Sequence, residues 1–333
     1  MYINNLLNSI KFYEINNKTI GIILNNLPTK LKLDINKQLK EFSNIYNLKN
    51  INFTNGIHDN TIIKNTITII IEFNDDYYVK NNLINPYLNY LWFIKKYNLK
   101  PYESMLITNQ YIALTIGGLI LQKILELKYN IKFITHISRI ADICDVTFNE
   151  YNIKNINHIK DLKPCILDNR VKILMEKAIK KASNNNLTLS GSLETMILEI
   201  PNNINNNTYS LKQLSSFLLS DIPNLSVIEY NNGSNFNKTP PNKYIKFDND
   251  KLLYNNEAFI DNNTGKLNSN KFIIKCDFIP DPSNKEISTI NFETLENFIV
   301  IKEKIKPIEF LKYTYTIESI LAISLYEIIN KEG

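Results

Sequence analysis

The run Tyr111–Leu121, YIALTIGGLIL, constrains this chain more than any other stretch. It belongs to a long, mostly apolar segment, Glu103 to about Tyr129, whose pattern predicts one helix. A helix that is apolar on every side has to be covered by other elements. The run is too short to span a bilayer, which takes about 20 residues, and Asn109, Gln110, Gln122 and Lys123 flank it. Gly117 and Gly118 stand in its middle, where a missing Cβ lets another element come close. The segment reads as a buried helix, so the remaining sequence has to supply what buries it.

The covering elements are mixed. Thr19–Leu24 (TIGIIL) predicts a short buried strand, ended by Asn25, Asn26 and Pro28. Asp34 is expected to cap a helix from Ile35 to about Tyr46. Thr61–Phe73 is β-branched and strand-like, closed by Asn74, Asp75 and Asp76. Ile131–Ser138 (IKFITHIS) alternates as a strand. Asp168 is expected to cap an amphipathic helix through Lys181, with Val171, Leu174, Met175 and Ile179 on one face. Leu187–Ile200 and Lys271–Ile279 read as strands, Leu211–Ser220 and Thr316–Asn330 as helices. Pro201–Thr208 and Asn231–Lys243 are Asn-rich loops. With no regular βαβ rhythm, no repeat and no clean linker, the fold class is α+β in one domain over residues 1–333.

Composition narrows the chemistry. Asn supplies about one residue in six while Gly numbers 8, a pattern of coding drift in which Asn replaces Gly or Asp and Lys replaces Arg. The net charge of +5, from 38 basic and 33 acidic residues, is spread along the chain. It suits a small anionic substrate and is too diffuse for nucleic acid. Only Arg139 and Arg170 carry a guanidinium. A phosphate site therefore has to rely on Lys, backbone N–H groups or hydroxyls. Cys144, Cys165 and Cys276 are sparse, form no CxxC pair and read as reduced, small buried hydrophobes in a cytoplasmic protein. No signal peptide and no membrane segment are read.

Neither a dinucleotide fingerprint, a P-loop nor a GxSxG elbow is present. His58, His136 and His158 lack metal-ligand spacing. His136, on an alternating strand, is expected to be a packed or surface residue rather than a base, and His58 a surface-loop residue. The Lys302–Lys312 run reads as a solvated face.

The order of segments resembles chorismate synthase over nearly the whole chain. Ile20–Leu33 (IGIILNNLPTKLKL) is similar to that family's early strand, turn, Pro and Leu-x-Leu. Ile51–Asp75 parallels its stretch ending in a buried strand and Ile-Glu. Lys96–Tyr102 (KYNLKPY) is similar to Lys-Tyr-Gly-x-Arg-Asp-Tyr. The Gly117–Gly118 helix and the following IKFITHISRIADI fit the helix and strand after its flavin loop. Ile222–Gly233 follows Ile-Asn-Ala-Val-Lys-Gly-Val-Glu-x-Gly. The tail, Lys302–Ile328, aligns ungapped through Pro307, Lys312, Glu318, Leu321 and Ala322.

The resemblance implies a β–α–β sandwich, assembled as a cytoplasmic homotetramer. It also implies reduced FMN and the trans-elimination of phosphate from 5-enolpyruvylshikimate 3-phosphate to give chorismate. Asn224, Gly265, Ser283 and Lys304 fall where the cofactor would be held, and Lys312 where the substrate phosphate would be.

The departures fall on the chemistry. The Gly-Glu-Ser-His-Gly motif is Tyr13-Glu14-Ile15-Asn16-Asn17, so Glu14 remains and Asn16 stands at the first His position. Leu88 occupies the second His position and Lys306 the Asp position. The flavin loop has become roughly Glu103–Tyr111, ESMLITNQY. Neither Asn16 nor Leu88 exchanges a proton near neutral pH, and each lost acid–base group typically costs about 10²–10⁴-fold. Two readings follow: a diverged chorismate synthase, or an inactive homologue kept as a scaffold or binding subunit.

Overall fold

The computed structural model describes residues 7–16, 18–46, 48–74, 101–148, 165–184, 191–201, 208–220, 225–231, 237–238, 246–248, 251–253, 272–278 and 308–332. In chain order these form β1 (Ile10–Asn16), β2 (Thr19–Leu24), α1 (Asn36–Ile45), β3 (Leu48–Asn55), β4 (Ile57–His58), β5 (Thr61–Ile62), β6 (Ile67–Phe73) and α2 (Pro101–Tyr129). There follow β7 (Lys132–Ile140), β8 (Ile143–Cys144), α3 (Asn169–Asn184), β9 (Gly191–Leu198), α4 (Thr208–Ser220) and β10 (Leu225–Asn231). The last are β11 (Asn237–Lys238), β12 (Lys246–Asp248), β13 (Lys251–Leu253), β14 (Phe272–Phe278) and α5 (Ile308–Glu332).

Two larger antiparallel sheets result. One has strand order β1-β2-β6-β3, the other β11-β10-β14-β9-β7-β8. Strand alternation in β6 turns Ile67, Ile69, Ile71 and Phe73 to the core. By contrast β7 and β9 are buried on both faces over most of their length. The helix α2 packs on β1 and β2 of the first sheet and on β7 of the second, and α5 packs along α2 and on β7 and β9.

This placement explains the composition of the two long helices. Tyr313 to Ile328 of α5 are buried without interruption, and so are Tyr111 to Leu121 of α2. By length and composition Gln110–Tyr129 could cross a membrane, but most of it is buried inside the protein. The expected close approach occurs at Gly118, where a Cβ would lie 2.5 Å from the Cβ of Ser319 on α5. At Gly117 a Cβ would run into the end of the Ile10 side chain.

Asparagine does the work that a glycine-poor chain cannot give to glycine. Asn26, Asn60 and Asn130 adopt left-handed φ of 60°, 59° and 57°. Asn tolerates this region better than most side chains. Asn130 ends α2, turning the Ile131 N–H back toward the Leu125 carbonyl. Gly56, with φ of 86°, is the one described glycine in that region, and there a Cβ would strike the Thr66 carbonyl.

Several local expectations change. Asp34 does not cap α1: Ile35 holds the N-cap position and no side chain bonds there. The single strand expected over Thr61–Phe73 is divided into β5 and β6, because Lys64 and Asn65 loop outward between them. Asp168 caps α3 as expected, its Oδ1 accepting the Arg170 N–H at 2.8 Å. Leu174 does not share the buried face of α3; it is 52% exposed while Met175 is fully buried. Cys165 and Cys276 are buried, but Cys144 is exposed. The two Asn-rich loops lie largely outside the described residues.

Candidate functional site

The first candidate region begins at the turn end of the β1–β2 hairpin. Burial along β1 falls from Ile10 and Phe12, which face the core, to Glu14, Ile15 and Asn16, which face solvent. There Glu14 meets α2: its Oε1 accepts a hydrogen bond from Gln110 Nε2 at 3.1 Å, 96 residues away in sequence. The fold thus joins one residue from each of two separate blocks of the resemblance, Glu14 of Tyr13–Asn17 and Gln110 of Glu103–Tyr111. The second block is not a loop; it forms the first turns of α2.

Asn16, at the first His position, has a local task. Its Oδ1 accepts the Lys18 N–H at 2.8 Å, closing the hairpin turn as a short polar side chain does in an Asx turn. Lys312 lies at the start of α5, half-buried. Its Nζ is 5.7 Å from the Tyr46 ring centroid and 5.8 Å from that of Tyr313, within cation–π range. Tyr46 in turn shares a hydrogen bond of 3.1 Å with Thr316. Tyr315 donates to Glu41 Oε2 at 2.6 Å, and burial together with that carboxylate pushes its phenol well above the ordinary tyrosine range. Leu88, Asn224, Gly265, Ser283, Lys304 and Lys306 lie outside the described residues.

A flavin phosphate needs positive or N–H donors. Both guanidinium groups are engaged within the chain: Arg139 with Ser192 Oγ at 3.1 Å and the Ala141 carbonyl at 2.9 Å, Arg170 with Asp168 at 2.9 Å. A flavin phosphate would therefore rest on Lys, hydroxyl or backbone N–H donors, and the four residues that the resemblance assigns to the cofactor lie outside the described residues. Among the described residues, no group of three His, Cys, Asp or Glu side chains is placed to hold a metal ion.

Residue-by-residue reading of the sequence missed a second cluster. His136 on β7 stands directly opposite Glu194 on β9, and its Nε2 lies 2.7 Å from Glu194 Oε2. Its Nδ1 lies 3.2 Å from Asp145 Oδ2, and all three side chains are fully buried. Asp145 also accepts the N–H groups of Leu167 at 2.6 Å, Asp168 at 3.1 Å and Val146 at 2.9 Å. Glu194 Oε2 accepts the Phe148 N–H at 3.0 Å, while Glu194 Oε1 is buried with no hydrogen-bond partner among the described residues.

On the other face of the same strands, Thr135 bonds Thr195 and Glu318 at 2.9 Å each. Gln122 donates to Glu318 at 3.2 Å. The signal that could have found the His136 cluster was a lone Glu inside the strand GSLETMIL, since a buried acid needs a partner.

No protein-family model matches the chain. No curated protein matches it either. Among solved structures, a chain described as a crystal structure of chorismate synthase superposes on it with a TM-score of 0.59 at 15% sequence identity. The match covers 98% of this chain and 93% of that one. At this identity the likeness is one of fold: mixed helices and antiparallel sheets arranged as in chorismate synthase.

Proposed function

We propose that this chain is a diverged chorismate synthase, carrying out the FMN-dependent elimination of phosphate from 5-enolpyruvylshikimate 3-phosphate to give chorismate. The observation that carries the reading is a fold shared over nearly the full length of both chains. A likeness that leaves neither end unmatched is what a common ancestor leaves behind, not what one borrowed motif produces. The contact between Glu14 and Gln110 adds support, because it joins two blocks that the resemblance had placed in one site.

In this reading the chain is a single β–α–β sandwich that assembles as a homotetramer in the cytoplasm and binds neither nucleic acid nor membrane. Asn224, Gly265, Ser283 and Lys304 would hold reduced FMN, which supplies the electron chemistry when bound. Lys312 would hold the substrate phosphate after moving off the Tyr46 and Tyr313 rings. Asn16 can orient a substrate by hydrogen bonding but cannot exchange its proton, so turnover is expected to be slow.

A second reading, an inactive homologue acting as a scaffold or binding subunit, is favoured by one observation. Asn16 is committed to the hairpin turn through the Lys18 N–H, a structural use of the position where the enzyme needs a base. The deciding experiment is anaerobic titration of the protein with oxidised and reduced FMN, with and without 5-enolpyruvylshikimate 3-phosphate, followed by a chorismate assay. Flavin binding tightened by the substrate, with slow chorismate formation, supports the enzyme. No binding in any state sinks it and leaves the scaffold.

A further inference from the structure

The His136 cluster includes none of the residues to which the resemblance assigns a role in the site, and its three side chains are fully buried. Its geometry poses a proton-counting problem. A neutral imidazole has one donor nitrogen, whereas both ring nitrogens of His136 face carboxylate oxygens, at 3.2 and 2.7 Å. Satisfying both needs a second proton in the cluster, which sits on the ring when both carboxyl groups are ionised.

The two carboxylates are also the anchors of chain outside the sheet. Asp145 gathers the N–H groups of Val146, Leu167 and Asp168, and Glu194 gathers that of Phe148. The Cys165 carbonyl accepts the Ile137 N–H at 2.8 Å, beside the His136 bridge. Phe148 sets its ring edgewise to the imidazole, with centroids 4.5 Å apart.

We propose that His136 is a doubly protonated imidazolium that latches the segments Asp145–Phe148 and Cys165–Asp168, and with them the start of α3, onto the β7–β9 sheet, and that alkaline pH releases this latch. The strands keep their own backbone ladder when the ring loses its charge. The segments do not: their anchors become two buried carboxylates facing a neutral ring, and breaking a buried pair in this way is strongly unfavourable.

Among the described residues, the titratable groups facing the ring are Asp145 and Glu194, with Cys165 beside Asp145. Burial pushes the Cys165 thiol up to about 12, the Asp145 charge adding to this and Lys172 of α3 opposing it, so the thiol stays neutral through the window. Burial alone pushes His136 down, but the hydrogen bonds and charges of Asp145 and Glu194 outweigh it and hold the imidazole above its ordinary value. With an unfolded value of about 6.5, the stabilisation is complete below that pH and is lost as pH rises through the raised folded value.

The test uses the full chain, labelled with nitrogen-15. With 3 histidines in the sequence, a His58→Gln variant helps to assign the imidazole signals. At pH 7 His136 is expected to show two ring N–H protons. As pH rises through the His136 titration, the amides of Leu167, Asp168 and Phe148 should lose at least about tenfold in hydrogen-exchange protection relative to Ile22 and Ile69 in the β2–β6 ladder. A His136→Gln variant, if folded, should show the released segments at every pH. A single ring proton at pH 7 overturns the proposal. So does protection at Leu167 and Asp168 that follows the β2–β6 amides across the whole titration.

Discussion

Replacing Gly118 by Ala tests the packing of the two central helices, because its neighbour Gly117 provides a matched control. Both glycines lie in the buried middle of α2, and Ala gains about 1 kcal/mol over Gly at either position from helix propensity. What differs is the obstacle. At Gly118 a Cβ would lie 2.5 Å from Ser319 Cβ and 2.7 Å from the Ser319 carbonyl carbon, and closer still to that carbonyl oxygen. These are atoms of the α5 backbone and its first side-chain carbon, so relief requires α2 and α5 to part by about 1 Å in a close-packed interior.

Overpacking of this kind costs about 1–3 kcal/mol, occasionally more. Set against the propensity gain, Gly118→Ala should lose up to about 2 kcal/mol. At Gly117 the Cβ would meet the terminal carbon of Ile10 and then Leu24 Cδ2 at 3.3 Å. Ile10 can swing that end away, so Gly117→Ala should stay within about 1 kcal/mol of the parent. Urea denaturation followed by circular dichroism reads both, with the midpoint reporting stability and the slope the exposed surface. If Gly118→Ala is as stable as Gly117→Ala, the contact with Ser319 does not limit the helix pair and the reasoning fails.

Other outcomes follow from single contacts. Tyr315→Phe removes the phenol that donates to Glu41 at 2.6 Å and should lower stability by about 1–2 kcal/mol in the same urea assay. Asn16→Ala deletes the acceptor for the exposed Lys18 N–H and should cost no more than about 1 kcal/mol while β1 and β2 stay paired; loss of the hairpin in amide exchange would contradict this. In the native protein a thiol reagent at pH 8 should modify Cys144 quickly. Cys276, fully buried, and Cys165, buried with its thiol pushed up to about 12, should react only after denaturant is added. Equal rates at all three would refute the burial assignments.

The sequence by itself determined whatever rests on contacts between near neighbours. Thr19–Leu24 forms a strand with those bounds because β-branched apolar residues run up to Asn25 and Asn26. The helix around YIALTIGGLIL and the cap at Asp168 are local for the same reason. The surplus of Asn was legible as a substitute for glycine, and three of the described left-handed positions are Asn.

The tertiary structure decided what depends on residues far apart. Nothing in the periodicity of α3 says that Leu174 is left uncovered while Met175 is buried, since that depends on which side the sheet occupies. Nothing near Glu14 in the chain names Gln110 as its partner. His136 looked like one residue of an alternating strand until the fold set Asp145 and Glu194, 9 and 58 residues away, against its two nitrogens. A titratable side chain takes its character from what surrounds it, and for a buried one those surroundings come from other elements. The candidate site was legible only as positions within a resemblance. Of these, Asn16 and Lys312 received surroundings from the fold, because a site assembled from distant loops has no local pattern to read.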